Sequence, residues 1–231
     1  MANAELAQRG AAEVRFDGVC KSYGVNRVLR GLNFTLEAGG VYCLMAPSGS
    51  GKTTLFRALL GLEPCDAGSI TGVSSGDISM MFQEDRLCEA LSAIENVALV
   101  LPGRASRTKV RGLLSQILPA ACLDQPVMEL SGGMRQRLAM ARALTCDADL
   151  LLMDEPLSAL DALLREEMQD MLKRCWREQG YAQVLVTHSI EEAVYLGQRI
   201  VVMSPRPGRV VHVLENAEMQ QENWRDADLF F

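Results

Sequence analysis

No uncharged apolar run in this sequence approaches the roughly 18 residues that a membrane-spanning helix needs. No basic, apolar, small-residue stretch opens the chain as a secretion signal would. These two absences predict a cytosolic protein. Positive charge is short as well: 23 Lys and Arg stand against 29 Asp and Glu, for a net charge of −6. Affinity for a phosphate backbone needs clustered positive charge, so nucleic acid is not expected as a partner. Paired cysteines are missing too. Cys20, Cys43, Cys65, Cys88, Cys122, Cys146 and Cys175 lie scattered with no Cys-x-x-Cys among them, which argues against a disulfide framework or zinc site and predicts small core residues. What remains is ordinary globular material, 48% hydrophobic over 231 residues, enough to bury a core as one large domain or two small ones.

Within that material one stretch stands out, Ala46-Pro-Ser-Gly-Ser-Gly-Lys-Thr-Thr54. It follows the apolar run Val41–Met45, too short for a helix, and precedes Leu55, Phe56, Leu59 and Leu60, whose spacing gives one helical face closed by Gly61. A Gly-rich loop between strand and helix aims successive backbone N–H groups at phosphate oxygens, and the helix dipole adds to them. Ser48, Gly49, Ser50, Gly51, Lys52, Thr53 and Thr54 are therefore candidate phosphate-binding residues. Lys52 is expected to reach the β- and γ-phosphates, and Thr53 to hold Mg²⁺. The bland alternative is a solvated Ser/Gly turn. The loop resembles the Walker A motif of P-loop NTPases, with Ala46 where the commonest form has its first Gly.

The rest of the chain supplies strands and helices in alternation. Residues 1–12 read as a frayed end. Val14 and Phe16 predict a short strand, and Leu32, Phe34 and Leu36 another, ending at Ala38-Gly39-Gly40. Tyr23 sits between them in Lys21-Ser22-Tyr23-Gly24, as an exposed loop aromatic or as a ring able to stack on a purine. After turns at Pro64 and Gly68, a short Gly/Ser-rich piece leads into a strand at 78–82 closed by Gln83. From Ala90 to about Leu118 the pattern is helical, broken into two helices at Pro102 and Gly103. Leu130–Gln136 opens a further helix through Leu144.

The uninterrupted apolar run Leu150–Met153 predicts a strand buried on both faces, as in a parallel sheet, with Asp154 and Glu155 at its ligand-binding end. Asp161 leads into a helix with Leu164, Met168, Met171, Leu172 and Cys175 on one face, and Gly180 caps it. A strand at Val184–Thr187 delivers His188, and Ser189 with Glu192 has the capping-box spacing. Ile200–Met203, a Pro-Arg-Pro-Gly turn at 205–208 and Val210–Leu214 predict a closing hairpin. His212 reads there as an ordinary strand residue, and residues 215–231 as a short polar tail.

Two carboxylates or a lone histidine carry little weight singly, but beside a phosphate loop they acquire roles. Asp154 is expected to orient Mg²⁺, Glu155 to polarise the attacking water, His188 to donate to the γ-phosphate and Gln83 to sense metal and water. Together these motifs resemble the ATP-binding cassette (ABC) family, specifically the nucleotide-binding subunit of a transporter, over about Val14 to Leu214. Leu130–Gln136 is similar to that family's signature motif and is the most specific evidence.

The resemblance implies an α/β fold: a P-loop NTPase (RecA-like) core at about 13–83 and 136–214, with an antiparallel β subdomain, and a helical subdomain inserted at about 84–135. It assigns Tyr23 to adenine stacking, Gln83 to the Q-loop, Glu155 to catalysis, Asp161 to the D-loop and His188 to the switch. It implies ATP and Mg²⁺ as ligands. It also implies a head-to-tail dimer in which Ser131, Gly132 and Gly133 contact the ATP held by the other chain's loop.

Separate membrane permeases are the implied partners, docking near Glu84–Asn96 at the inner face of the membrane and joined, in importers, by an extracytoplasmic binding protein. Gln83–Leu87 and Met203–Arg209 resemble the importers of nitrate, sulfonates, taurine and thiamine precursors, although Cys88-Glu89 replaces the usual Leu-Pro-aromatic sequence. The competing reading from another class is a soluble cassette ATPase working on DNA, ribosomes or cluster assembly. A module that binds nucleotide without hydrolysis fits poorly with Glu155 and His188.

Overall fold

The computed structural model describes residues 13–101 and 107–216. They form two sheets. The smaller is antiparallel, with β1 (Val14–Tyr23) between β2 (Asn26–Leu36) and β4 (Ala67–Thr71). Strand β1 is longer than its apolar alternation predicts, running on to Tyr23, because β2 pairs with it to the hairpin end at Tyr23 and Asn26. Tyr23 thus ends a strand instead of lying in a loop. Strand β4 is absent from the sequence reading. Four of its five residues are exposed and only Ile70 is partly buried, so no apolar alternation marks it. Pairing with β1, Phe16 opposite Ile70, orders it.

The larger sheet runs β5 (Ile78–Met81), β6 (Leu150–Asp154), β7 (Ala182–Val186), β3 (Val41–Met45), β8 (Arg199–Met203), β9 (Val210–Glu215). All neighbours are parallel except β8 and β9, which form the expected hairpin. All five residues of β6 are buried, as its unbroken apolar run predicts. Its side chains alternate between two cores. Leu150 and Leu152 join Leu29, Leu55, Phe56 and Val184 on one face, while Leu151 and Met153 join Leu138, Leu172 and Leu185 on the other.

Six α-helices are found among the described residues: α1 (Lys52–Leu59), α2 (Ala93–Ala98), α3 (Arg107–Leu114), α4 (Gly132–Leu144), α5 (Ala162–Gln179) and α6 (Ile190–Leu196). Pro102 and Gly103, the expected break between α2 and α3, lie outside the described residues. Helix α3 stops at Leu114, although the apolar period continues through the buried Ile117 and Leu118. Pro119 disfavours helical backbone at the residue before it. Helix α2 has a complete capping box, Ser92 with Glu95. At α6 only half of the expected box forms: Ser189 accepts from the Glu192 N–H, but the Glu192 carboxylate accepts from Thr187 Oγ1 at 2.5 Å instead.

Helix α5 is capped by Asp161 at one end and by left-handed Gly180 at the other. Ile94, Val110, Leu114, Leu123 and Val127, between β5 and α4, pack into the same cluster as the sheet residues Leu151 and Leu185. Helix α4 crosses the expected boundary at 135–136. The seven cysteines are free thiols, but only Cys43 is fully buried and Cys88 is exposed, so the expectation of core residues fails for Cys88. Among the described residues no helix is long and apolar enough to cross a membrane.

Candidate nucleotide site

The C-terminal ends of β3, β5, β6 and β7 converge on a cleft of about 280 Å³. Ser48, Gly49, Gly51, Lys52, Thr53, Thr54, Gln83, Asp154, Glu155 and His188 all line it. Parallel sheets place ligands at this end because the loops leaving the strands meet there.

The loop joining β3 to α1 has the conformation its glycines allow. Gly51 sits at φ +104°, and a Cβ there would stand 2.9 Å from side-chain atoms of Val28 and Leu29. Ala46, in contrast, is not among the described residues with positive φ, so an alanine is no handicap there. Gly51 precedes α1 without a side-chain cap, and no acid lies in the helix's first turn. The N-terminal N–H groups and dipole are therefore left for an anion. Lys52, only 9% exposed, donates to the carbonyls of Ala46 at 3.0 Å and Pro47 at 3.1 Å. This folds its ammonium over the loop with a third N–H to spare. Ser50 is fully buried, and its hydroxyl has no hydrogen-bond partner among the described residues.

Opposite the loop stand the carboxylates. Asp154 ends β6 and is 7% exposed. Burial, and then the neighbouring Glu155 charge, push its pKa up, with Lys52 and His188 opposing. A divalent cation would reverse that imbalance, and Thr53 and Gln83 line the cleft with it, so the donor set fits Mg²⁺. Glu155 has φ +51°, one of two positive values outside glycine among the described residues, a conformation that concentrates at functional sites. Its N–H donates to Val186, and its carbonyl accepts from Ser158 Oγ at 3.0 Å and Gln136 Nε2 at 3.4 Å. The side chain meets His188, with Oε1 at 2.9 Å from Nε2. Behind His188, the buried Glu192 holds Thr187 and approaches Arg165, which donates to the carbonyl of Leu160. The 158–161 turn and the histidine loop are thereby joined.

Because the fold disfavours ionised Asp154, the sign of its linkage is fixed. A raised folded pKa favours folding below the ordinary carboxylate value, and that contribution is lost as pH rises through the raised value. Asp154→Asn is therefore expected to raise the Tm of the nucleotide-free chain at pH 7 by about 2–4 °C, on the order of 1 kcal/mol at this size. The gain should shrink near pH 3, about a unit below the ordinary aspartate value, where the group is largely protonated in either state. Scanning calorimetry at about pH 7 and pH 3 is the check, and a lower Tm at pH 7 would refute it.

The remaining expected site residues lie elsewhere in the chain. Tyr23 is 45% exposed, and its hydroxyl donates to Glu63. Ser131 caps α4 by accepting from Met134 N–H, Gly132 and Gly133 form that helix's first turn, and Asp161 caps α5 by accepting from Leu164 N–H. None of them lines the cleft. Gly132 instead lines a second hollow of about 550 Å³, shared with Gln83, Asp85, Glu89 and Arg135. There Arg135 forks onto Asp85 at 2.7 and 3.2 Å and holds its carboxyl below the usual range. Sequence reasoning missed Arg206, which lines the nucleotide cleft although it was read only as part of a turn. No local pattern marks it, because its position depends on β8 pairing beside β3.

A family profile described as ABC transporter matches residues 29–158. The chain is 39% identical over 233 residues to the aliphatic sulfonates import ATP-binding protein SsuB 1 of Rhizobium johnstonii, covering 91% of this chain and 85% of that protein. It is 43% identical over 197 residues to the taurine import ATP-binding protein TauB of Pelagibacter ubique, covering 79% and 73%. Among solved structures it resembles the dimeric structure of MJ0796, a bacterial ABC transporter cassette, with a TM-score of 0.78 and 27% identity over 88% of this chain and 98% of that one. A post-hydrolysis dimer of the same cassette bound to ADP and Pi matches with a TM-score of 0.78 and 28% identity over the same shares.

Proposed function

This chain belongs to the ABC transporter family, and on that premise we propose that it is the subunit that binds and hydrolyses ATP to drive import through separate membrane permeases. The observation that carries the reading is the meeting of Glu155 and His188, 2.9 Å apart, in the cleft that also holds Lys52 and Asp154. The phosphates lie on the 46–51 loop and the start of α1, neutralised by Lys52. Thr53, Gln83 and Asp154 would hold Mg²⁺, which would supply charge neutralisation to the phosphates. Glu155 takes the proton of the attacking water, and His188 orients that carboxylate and the terminal phosphate. Tyr23 stacks on adenine from the edge of the site.

Ser131, Gly133 and Asp161 do not face their own chain's cleft, and a head-to-tail pair gives them a task. Each chain then closes the other's nucleotide, and two sites form across one twofold interface. The solved dimers similar to this chain support such a pair. The permease docks at the second hollow and the segment Glu84–Asn96, beside Gln83, so the residue that borders the nucleotide also borders the partner. The printed names of the relatives favour sulfonates, with taurine among them, as the transported class, delivered by an extracytoplasmic binding protein. The chain works at the inner face of the membrane.

Affinity capture of tagged Glu155→Gln protein from detergent-solubilised native membranes with ATP tests this reading. A multi-span permease is expected among the captured proteins. Recovery of ribosomal or DNA-bound partners with no permease would replace it by a non-transport ATPase.

A further inference from the structure

Arg206 has no role in the function as described, yet it reaches into the nucleotide cleft. It is carried there by the turn between β8 and β9, and that turn is fastened to the phosphate loop. A Cβ on Gly208 would stand 2.2 Å from the carbonyl oxygen of Ser50, so the two backbones touch and only glycine permits it. Gly208 also donates to the Val28 carbonyl at 2.8 Å and accepts from Arg30 N–H at 3.1 Å. Ser204 closes the turn, its hydroxyl donating to the Pro207 carbonyl at 3.0 Å and accepting from Arg209 N–H at 3.1 Å. From this anchored turn Arg206 donates Nε–H to the Gly49 carbonyl at 3.1 Å.

A guanidinium has five N–H donors, and this bond uses one. Arg206 makes no ion pair among the described residues, although Glu155 lines the same cleft. A planar fork on a braced turn, one edge tied to the tip of a phosphate loop, suits phosphate oxygens. We propose that Arg206 is a cationic ligand of the nucleotide's phosphates, supplementing Lys52, and that the 204–209 turn fixes it to the loop it serves. The proposal rests on the ATP reading of the cleft.

Calorimetric titration of the purified chain with MgATP, MgADP and AMP tests it, using Arg206→Gln and Arg206→Lys, with far-UV circular dichroism and Tm as controls of folding. Arg206→Gln is expected to weaken MgATP binding about tenfold, MgADP less and AMP least, while Arg206→Lys recovers part of the loss by keeping the charge without the fork. Binding of MgATP by folded Arg206→Gln within twofold of the natural chain would overturn the proposal and leave the nucleotide site standing. An equal loss for all three nucleotides would also overturn it, showing support of the loop in place of contact with phosphates. If the natural chain bound no nucleotide at all, the reading of the cleft would fail together with this one.

Discussion

Glu155→Gln is expected to lower the rate of ATP hydrolysis by about 10²–10⁴-fold while leaving MgATP affinity at least as high. The substitution keeps the shape of the side chain and removes its basicity. Its backbone is held independently of the carboxylate, through the bond to Val186 and those accepted from Ser158 and Gln136, so the geometry survives the change. A glutamine amide still reaches His188, but it cannot take a proton from water. Chains that close on ATP and cannot finish the reaction accumulate in the closed pair. Single-turnover hydrolysis and sedimentation velocity with ATP measure the two effects. A rate within tenfold of the natural chain would remove Glu155 from the chemistry, and a purely monomeric variant with ATP would count heavily against the dimer.

Lys52→Ala is expected to weaken MgATP binding by 10-fold or more, about 1.5–3 kcal/mol for a lost charge-assisted hydrogen bond, with a much smaller effect on adenosine. Lys52 is nearly buried against the loop and already bonded to the Ala46 and Pro47 carbonyls. Its removal therefore costs the nucleotide a cation and also leaves two loop carbonyls without their donor. Titration calorimetry with MgATP and adenosine separates the contributions. An equal loss for both ligands would mean that the loop had collapsed, and an unchanged MgATP affinity would mean that the phosphates lie elsewhere.

Much of this was legible in the sequence because the signals are local. A strand buried on both faces must be apolar throughout, and Leu150–Met153 is. The phosphate loop needs glycine where φ is positive, and Gly49 and Gly51 stand there. The residues that local reading missed depend on distant neighbours. Strand β4 has almost no buried face, so only its pairing with β1 reveals it. The Glu192 carboxylate has the sequence position of a capping residue, but Thr187 and Arg165 compete for it and win. Arg206 comes close to Gly49 across 157 positions of sequence, a distance over which no periodicity operates. Cys88 reads as core because cysteine usually is, yet it is exposed.

The helices between β5 and α4 have no interior of their own, since Ile94, Val110, Leu114 and Leu123 are part of the cluster that also contains Leu151 and Leu185. Such a segment cannot be exchanged between relatives as a cassette part, because any transplant would have to refit the sheet beneath it. If the partner docks here as proposed, a change of partner would fall on side chains that face solvent, such as Glu84, Cys88 and Glu89, the last of which also pairs with Arg135. A lineage adapting this subunit to a new permease would thus be expected to vary at those few surface positions, while the apolar residues a few positions away hold still.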